Sequence, residues 1–255
     1  MAVEREVFVH LLPGLAAPGR LAGGLAVVID VLRATTTVVH ALAAGCSAVR
    51  PCAEVAEARQ LADRMRAGRV LLGGERDGRP LAGFDVGNSP AEYTSARCQG
   101  TTLVLTTTNG TKALLRAAEA ERVLAAGFVN FSAVCEQLRR DRRRIHIVCA
   151  GSAGEPTLED TLLAGAFVEF LSASEDVRLN DGARLAWDCF LADGRDVPGA
   201  LEVCDGGEWL RRLGFADDLA DAAKVDRYPL VPELRRDPLR LEVGAVGVVE
   251  SRWPK

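Results

Sequence analysis

The stretch DVLRATTT, Asp30 to Thr37, puts an acid at the end of an apolar run, an arginine three residues on, and three threonines before the chain turns apolar again. Opposite charges delivered together at a strand end can serve two parts of one complex, the acid meeting a cation and the arginine an anion. Two more stretches share the plan. TLVLTT runs into TNGTKALLRAA, and IHIVCAG runs into SAGEPTLEDTLLAG, each a strand, a turn of Thr, Ser, Asn and Gly, and a helix. In open parallel sheets the carboxyl ends of strands border the ligand crevice, and each following helix presents free N–H groups and the positive end of its dipole there. Three such ends make an anion-seeking mouth. Thr and Ser are also ordinary helix caps. What sets these turns apart is the company they keep: Asp30 and Arg33 in the first, Lys112 in the second, and Glu155, Glu159 and Asp160 in the third.

Two further loops add to the set. VLLGGERDG places Glu75 and Arg76 just past a buried strand, and LAGFDVGNSPAEY sets Asp85 and Asn88 in a turn punctuated by Gly and Pro. Loops with such specific chemistry tend to carry function. Carboxylates gathered around an anion pocket repel the anion, and a divalent cation resolves the conflict. Magnesium takes hard oxygen ligands, keeps waters and touches substrate phosphates. Acids, basic residues and helix N-termini in one crevice therefore point to metal-assisted phosphoryl chemistry.

The elements that must position these groups are legible from patterning. Short β-rich runs (EVFVHLL, LAVVID, SAVRPC, RVLLGGE, TTLVLTT, RVLAAG, IHIVCAG and LRLEVGAVGVVE) alternate with Ala/Leu-rich helical stretches. That alternation predicts an α/β fold of mostly parallel sheets flanked by helices. Helices are expected over TTVVHALAAG, VAEARQLADRMRAG, GTKALLRAAEA, FSAVCEQLRRD and TLEDTLLAGAFVEFLSAS, with more from Asp181 to about Lys224. The Pro-punctuated DRYPLVPELRRDP reads as extended or looped. Residues 1–255 read as a single α/β domain, with a division into two subdomains admitted near residues 125–145.

Composition narrows the partners. A net charge of -4 offers no basic field for a nucleic-acid backbone, and the Arg139–Arg144 run is interrupted by Asp141, as on a solvated helix end. No apolar run spans a bilayer and no secretory leader is visible, so a cytoplasmic protein is expected. The sequence leaves room for a homo-oligomer. Seven cysteines lie scattered without a Cys-x-x-Cys pair, which suits buried, reduced thiols. Cys189 and Arg195 have the spacing of a thiolate phosphatase, but the intervening FLADG lacks the run of small residues that cradles phosphate, and Asp193 repels it. Leu32 stands where an aspartyl phosphatase of the haloacid-dehalogenase type needs its second acid, and no Gly-x-Gly exists to bind a dinucleotide. A non-catalytic module sensing a phosphorylated metabolite is the competing class. It would keep the helix mouths and arginines without needing four loop acids.

The strings DVLRATTT, GGER (Gly73–Arg76), GFDVGNSP (Gly83–Pro90), TTTNGT (Thr106–Thr111) and GSAGEPTLED (Gly151–Asp160) resemble the 2-phosphosulfolactate phosphatases of coenzyme M biosynthesis. A looser similarity continues through LADAAKVDRYPLVPEL, so the resemblance spans most of the chain in order. It implies a magnesium-dependent hydrolase acting on a small anionic substrate, 2-phospho-3-sulfolactate, to give 3-sulfolactate and phosphate, on a family-specific α/β fold. On that resemblance Asp30, Glu75, Asp85 and Asp160 form the pool of magnesium ligands and catalytic bases, with Glu155 and Glu159 behind them. Arg33 and Arg76 would clamp the anions beside Asn88, and Thr106, Thr107, Thr108, Asn109 and Gly110 would line the phosphate or sulfonate cradle.

Overall fold

A computed structural model describes residues 4–65, 68–244 and 250–254. Its strands are β1 (Arg5–His10), β2 (Leu25–Ile29), β3 (Ala48–Pro51), β4 (Val70–Arg76), β5 (Arg79–Pro80), β6 (Thr102–Thr106), β7 (Arg122–Ala126), β8 (Ile145–Cys149), β9 (Val177–Leu179), β10 (Pro232–Arg235) and β11 (Arg240–Val243). The helices are α1 (Ala34–Ala43), α2 (Val55–Arg64), α3 (Ser95–Cys98), α4 (Gly110–Ala117), α5 (Phe131–Arg140), α6 (Leu158–Ser174), α7 (Asp181–Asp193), α8 (Val197–Val203), α9 (Asp205–Arg212) and α10 (Ala216–Ala222). The strands join in the order β5-β4-β6-β3-β11-β10-β7-β2-β8-β1-β9.

Two parallel blocks stand out, β7-β2-β8-β1-β9 and β4-β6-β3. The antiparallel hairpin β10–β11 links them, touching β7 at Glu233↔Leu124 and β3 at Leu241↔Val49. The expected mostly parallel α/β class is what forms. The Pro-rich segment that reads as a loop contributes β10, which opens on Pro232, a first-strand position where a missing N–H is tolerated. The last expected strand is seen as β11, and its continuation through 245–249 lies outside the described residues, as do 66–67 at the end of the α2 segment.

Strand β2 shows why the site is held firmly. All five residues of LAVVI are buried, because alternate side chains feed two cores. Leu25, Val27 and Ile29 join a cluster with Phe131, Leu163 and Phe167 from α5 and α6. Ala26 and Val28 face a second cluster with Val38 of α1, Leu114 of α4 and Leu105 of β6. Helices α1 and α4 thus contribute to a core shared by both blocks. The segment 125–145 holds a 3-10 turn and α5, packed on the same sheet between two neighbours of β2. Among the described residues no helix is long and apolar enough to cross a membrane.

Three buried histidines should make this scaffold acid-sensitive. His10 Nε2 and His146 Nδ1 lie 3.1 Å apart in a stack with Phe8, and His40 lies edge-on to Tyr228. Burial pulls each imidazole down from 6.5 to about 4, helped by Arg20 at His10, by Arg227 at His40, and by the His10 ring at His146. The folded chain keeps them neutral while the unfolded chain takes up protons below pH 6.5. Their contribution is therefore complete above pH 6.5 and is lost as the pH falls towards about 4. His146→Gln should flatten the fall in denaturation midpoint across that window relative to the wild type. An unchanged pH slope would exclude the histidine as its source.

Candidate active site

The site begins where β2 ends. Asp30 closes the first turn of α1, its Oδ1 accepting the Ala34 N–H at 3.0 Å and its carbonyl the Thr35 N–H at 3.0 Å. The three threonines brace that turn. Thr35 Oγ1 accepts the Asp30 N–H and reaches the Ala126 carbonyl on the neighbouring strand, Thr36 Oγ1 donates to Val31 O, and Thr37 Oγ1 donates to Asn88 O. In this first unit the hydroxyls serve the backbone, as caps commonly do.

Asp160, in the first turn of α6, ties two strand ends together. Its Oδ1 accepts the Val31 N–H at 2.9 Å and its Oδ2 the Gly151 N–H at 3.1 Å. The second unit closes on the same point. Gly110 opens α4 against the Asp30 carboxylate, so closely that a Cβ built there would stand 2.5 Å from Asp30 Oδ2 and clash with Ala34 Cβ. The helix mouths of α1, α4 and α6 thus meet around Asp30 and Asp160, as the repeated strand-turn-helix pattern predicts.

Glu75, at the end of β4, faces them from the second block. Its Oε1 accepts the Thr108 N–H at 2.7 Å, and its Oε2 accepts the Gly78 N–H at 2.7 Å and the Thr108 hydroxyl at 3.2 Å. This carboxylate occupies donors that the TTTNGT loop was expected to offer a substrate anion. Thr107 and Thr111 bond one another across the α4 mouth, and Thr106 accepts from Arg76. Arg76 also donates to the Glu75 and Ala53 carbonyls, which builds it into the loop. Asn109 precedes α4 without a capping side-chain bond.

Electrostatically the centre is short of positive charge. Burial first, then the Asp160 and Glu75 charges, raise the Asp30 carboxyl well above the usual range, against the pull of the Ala34 N–H and Arg33. Burial and Glu159 raise Asp160 likewise, and burial raises Glu159. Glu159 is buried with Oε2 lacking a hydrogen-bond partner among the described residues, its other oxygen lying near Gly206 at the start of α9. Glu155, by contrast, is exposed, as is Lys112.

Other expected site residues find different company. Asp85 is exposed and its Oδ2 accepts the Leu72 N–H at 2.8 Å, fastening its own loop to β4 beside Arg59 and Asp63. Asn88 is buried, with Oδ1 unpartnered among the described residues. Arg33 is buried and has an internal partner: Nη1 meets Asp218 Oδ2 of α10 at 2.6 Å, Nη2 donates to Gly78 O at 2.7 Å, and the guanidinium lies 4.5 Å from the Phe215 ring centroid. Ser89 Oγ donates to the other Asp218 oxygen at 2.6 Å. Cys189 sits within α7, partly buried against the first core, with its thiol shifted upward by burial, which suits packing and not nucleophilic attack.

The chain is similar over residues 11–237 to the family model described as 2-phosphosulpholactate phosphatase. The chain belongs to the 2-phosphosulfolactate phosphatase family. It is 43% identical over 214 residues to a Symbiobacterium thermophilum protein named "Probable 2-phosphosulfolactate phosphatase", covering 83% of this chain and 91% of that one. Proteins of the same name from Thermotoga petrophila and Deinococcus radiodurans are each 42% identical, over 82% of this chain and 88% and 87% of theirs. As a member of the 2-phosphosulfolactate phosphatase family the chain is a phosphoric monoester hydrolase, and the matched region contains every acid and arginine of the site. Asp218 and Ser89 are the residues sequence reasoning missed. Ser89 stands inside the GFDVGNSP string, which could have flagged it, whereas Asp218 lies in a polar helix that reads as a solvated face.

A divalent cation fits the donor chemistry at Asp30, though not as a cage of four acids. Among the described residues no group of three His, Cys, Asp or Glu side chains is arranged to hold a metal. The oxygens of Asp160 and Glu75 are engaged with N–H donors, while Asp30 Oδ2 accepts no bond from the described residues. Magnesium needs only one or two carboxylates when water and substrate oxygens complete its shell. Buried acids with raised affinity for a proton are also acids that a cation would relieve.

Proposed function

We propose that this phosphatase hydrolyses 2-phospho-3-sulfolactate to 3-sulfolactate and phosphate, with magnesium as its cofactor. The observation that carries the reading is the buried Asp30 carboxylate, one oxygen open, where three helix mouths meet among further acids. Helix N-termini favour anions and the acids favour cations, so the place suits a phosphate and a divalent ion bound together. Asp30 would hold the ion, with Asp160 and Glu159 adding charge behind it. Bound there, magnesium would neutralise phosphate charge and activate water for attack on phosphorus.

The chain's own groups then divide the work. Asp160 keeps the ends of β2 and β8 in register through its two N–H bonds, which fixes where Asp30 points. Glu75 stiffens the facing loop, and Thr108 and Asn109 at its rim are partly exposed and within reach of a bound ligand. Arg33, buried beside Asp30, retains N–H groups beyond those given to Asp218 and Gly78 and would take an oxygen of a substrate anion. Substrate carrying phosphate, carboxylate and sulfonate on three carbons needs more than one such positive point. The protein is expected to work without membrane or nucleic-acid partners.

Phosphate release from 2-phosphosulfolactate should vanish in excess chelator and return with added magnesium. Titrating the metal-free protein with magnesium near neutral pH should also release protons, because the cation displaces those held by the raised carboxyls. Full activity in chelator, with no proton release, would remove the metal from the reading. Turnover of 2-phosphosulfolactate no faster than that of simple phosphomonoesters would remove the substrate and leave the reaction class.

A further inference from the structure

We propose that Asp218, with Ser89, is a positioning residue of the phosphatase site, setting the Arg33 guanidinium beside Asp30 and so making helix α10 part of substrate binding. The proposal rests on Arg33 acting as an anion ligand, as above.

Asp218 is 2% exposed and Arg33 3%, and their 2.6 Å pair joins residues from opposite ends of the chain. Both oxygens of Asp218 are committed, one to Arg33 Nη1 and one to the Ser89 hydroxyl. Burial raises the Asp218 carboxyl, and the hydrogen bonds from Ser89 and Arg33 pull against that shift. Arg33 is further bounded by Phe215 on one face and by the Gly78 carbonyl at Nη2. A guanidinium held at two nitrogens and one face has little freedom left, and its remaining donors are fixed in the plane of the fork. Its charge reaches Asp30, where it opposes the upward shift. Asp218 therefore acts on substrate through Arg33 and touches no reacting atom.

Further contacts tie helix α9 to the second block. Trp209 Nε1 of α9 lies 3.4 Å from the Asp77 carbonyl, and a Cβ at Gly78 would meet Leu213 and Trp209. Gly206, at the other end of α9, lies against Glu159. Helix α9 thus lies against Glu159 at its start and against the loop after Glu75 at Trp209. A buried pair that served packing alone could be replaced by apolar side chains with little loss. A pair that aims a ligand could not.

The test uses the full chain with magnesium and reads KM, kcat, melting temperature and the dissociation constant of inorganic phosphate by calorimetry. Asp218→Asn keeps the shape and loses the charge. It should raise KM and weaken phosphate binding by about tenfold, with a smaller change in kcat. Ser89→Ala leaves the ion pair in place and tests the same aim gently, with an expected weakening of about threefold and an intact fold. In an Arg33→Ala background neither change should add to the loss, since the aimed group is gone. Unchanged KM and phosphate binding in folded Ser89→Ala and Asp218→Asn, with both weakened in Arg33→Ala, would overturn the positioning role alone. Unchanged phosphate binding in Arg33→Ala would overturn the anion-ligand reading and this proposal with it.

Discussion

Asp30→Asn should lower magnesium-dependent phosphate release by roughly two orders of magnitude or more, while the melting temperature of the metal-free protein holds or rises. The two effects have one cause. The amide keeps an oxygen for the Ala34 N–H, so the α1 turn survives, but removes a carboxylate that burial and the Asp160 and Glu75 charges make unfavourable. Sites that carry uncompensated charge for function are where such trade-offs occur. The added stability should be greatest at alkaline pH. A carboxyl raised by folding costs stability once the pH exceeds its unfolded value, and the cost grows until the pH passes the folded one. Magnesium should stabilise the wild type more than the variant, a readout independent of turnover. A destabilised but fully active Asp30→Asn protein would refute the assignment.

Gly110→Ala is expected to be nearly as damaging to turnover and, unlike the first change, to stability as well. The added methyl would fall against Ala34 Cβ and 2.5 Å from Asp30 Oδ2, so the helix start, the α1 turn or the carboxylate must move. Forcing a methyl into a packed contact costs roughly 1–3 kcal/mol. Displacing a functional group by about 1 Å can cost roughly a hundredfold in rate. Gly14→Ala is the control, since a Cβ there meets nothing within 4 Å. Activity and melting temperature should fall together for Gly110→Ala and hold for Gly14→Ala. Wild-type turnover in Gly110→Ala would mean that the α4 mouth is not part of the site.

What the sequence discloses about this site follows from how local the physics is. Asp30 and Asp160 are legible because each sits at a junction that patterning can find, the end of an apolar run or the first turn of a helix. The pairing of Arg33 with Asp218 joins residues 185 apart, and an acid in the polar α10 carries no mark of its burial. Asp85 shows the converse. Its Gly- and Pro-rich surroundings look functional, yet the carboxylate spends an oxygen on the Leu72 N–H of a sheet edge. The threonines are similar, since a hydroxyl that braces a turn and one that holds an anion occupy the same position in a strand-turn-helix unit. Strand β10 is hidden by Pro229 and Pro232, because only its neighbours decide whether a proline-led segment finds a partner.

The linkage of the two parallel blocks through one hairpin bears on how the molecule comes apart. Residues 48–106 build β3, β4 and β6, and they lie in sequence between β2 and β7, which are direct neighbours in the other block. Two strand groups of that kind can open as separate cooperative units, and amide hydrogen exchange would then show two sets of protection. Asp30 and Asp160 come from one unit and Glu75 and Thr108 from the other. A ligand gripping both would lift the exchange protection of the weaker unit towards that of the stronger, so occupancy of the catalytic centre would decide whether the chain unfolds in one step or two.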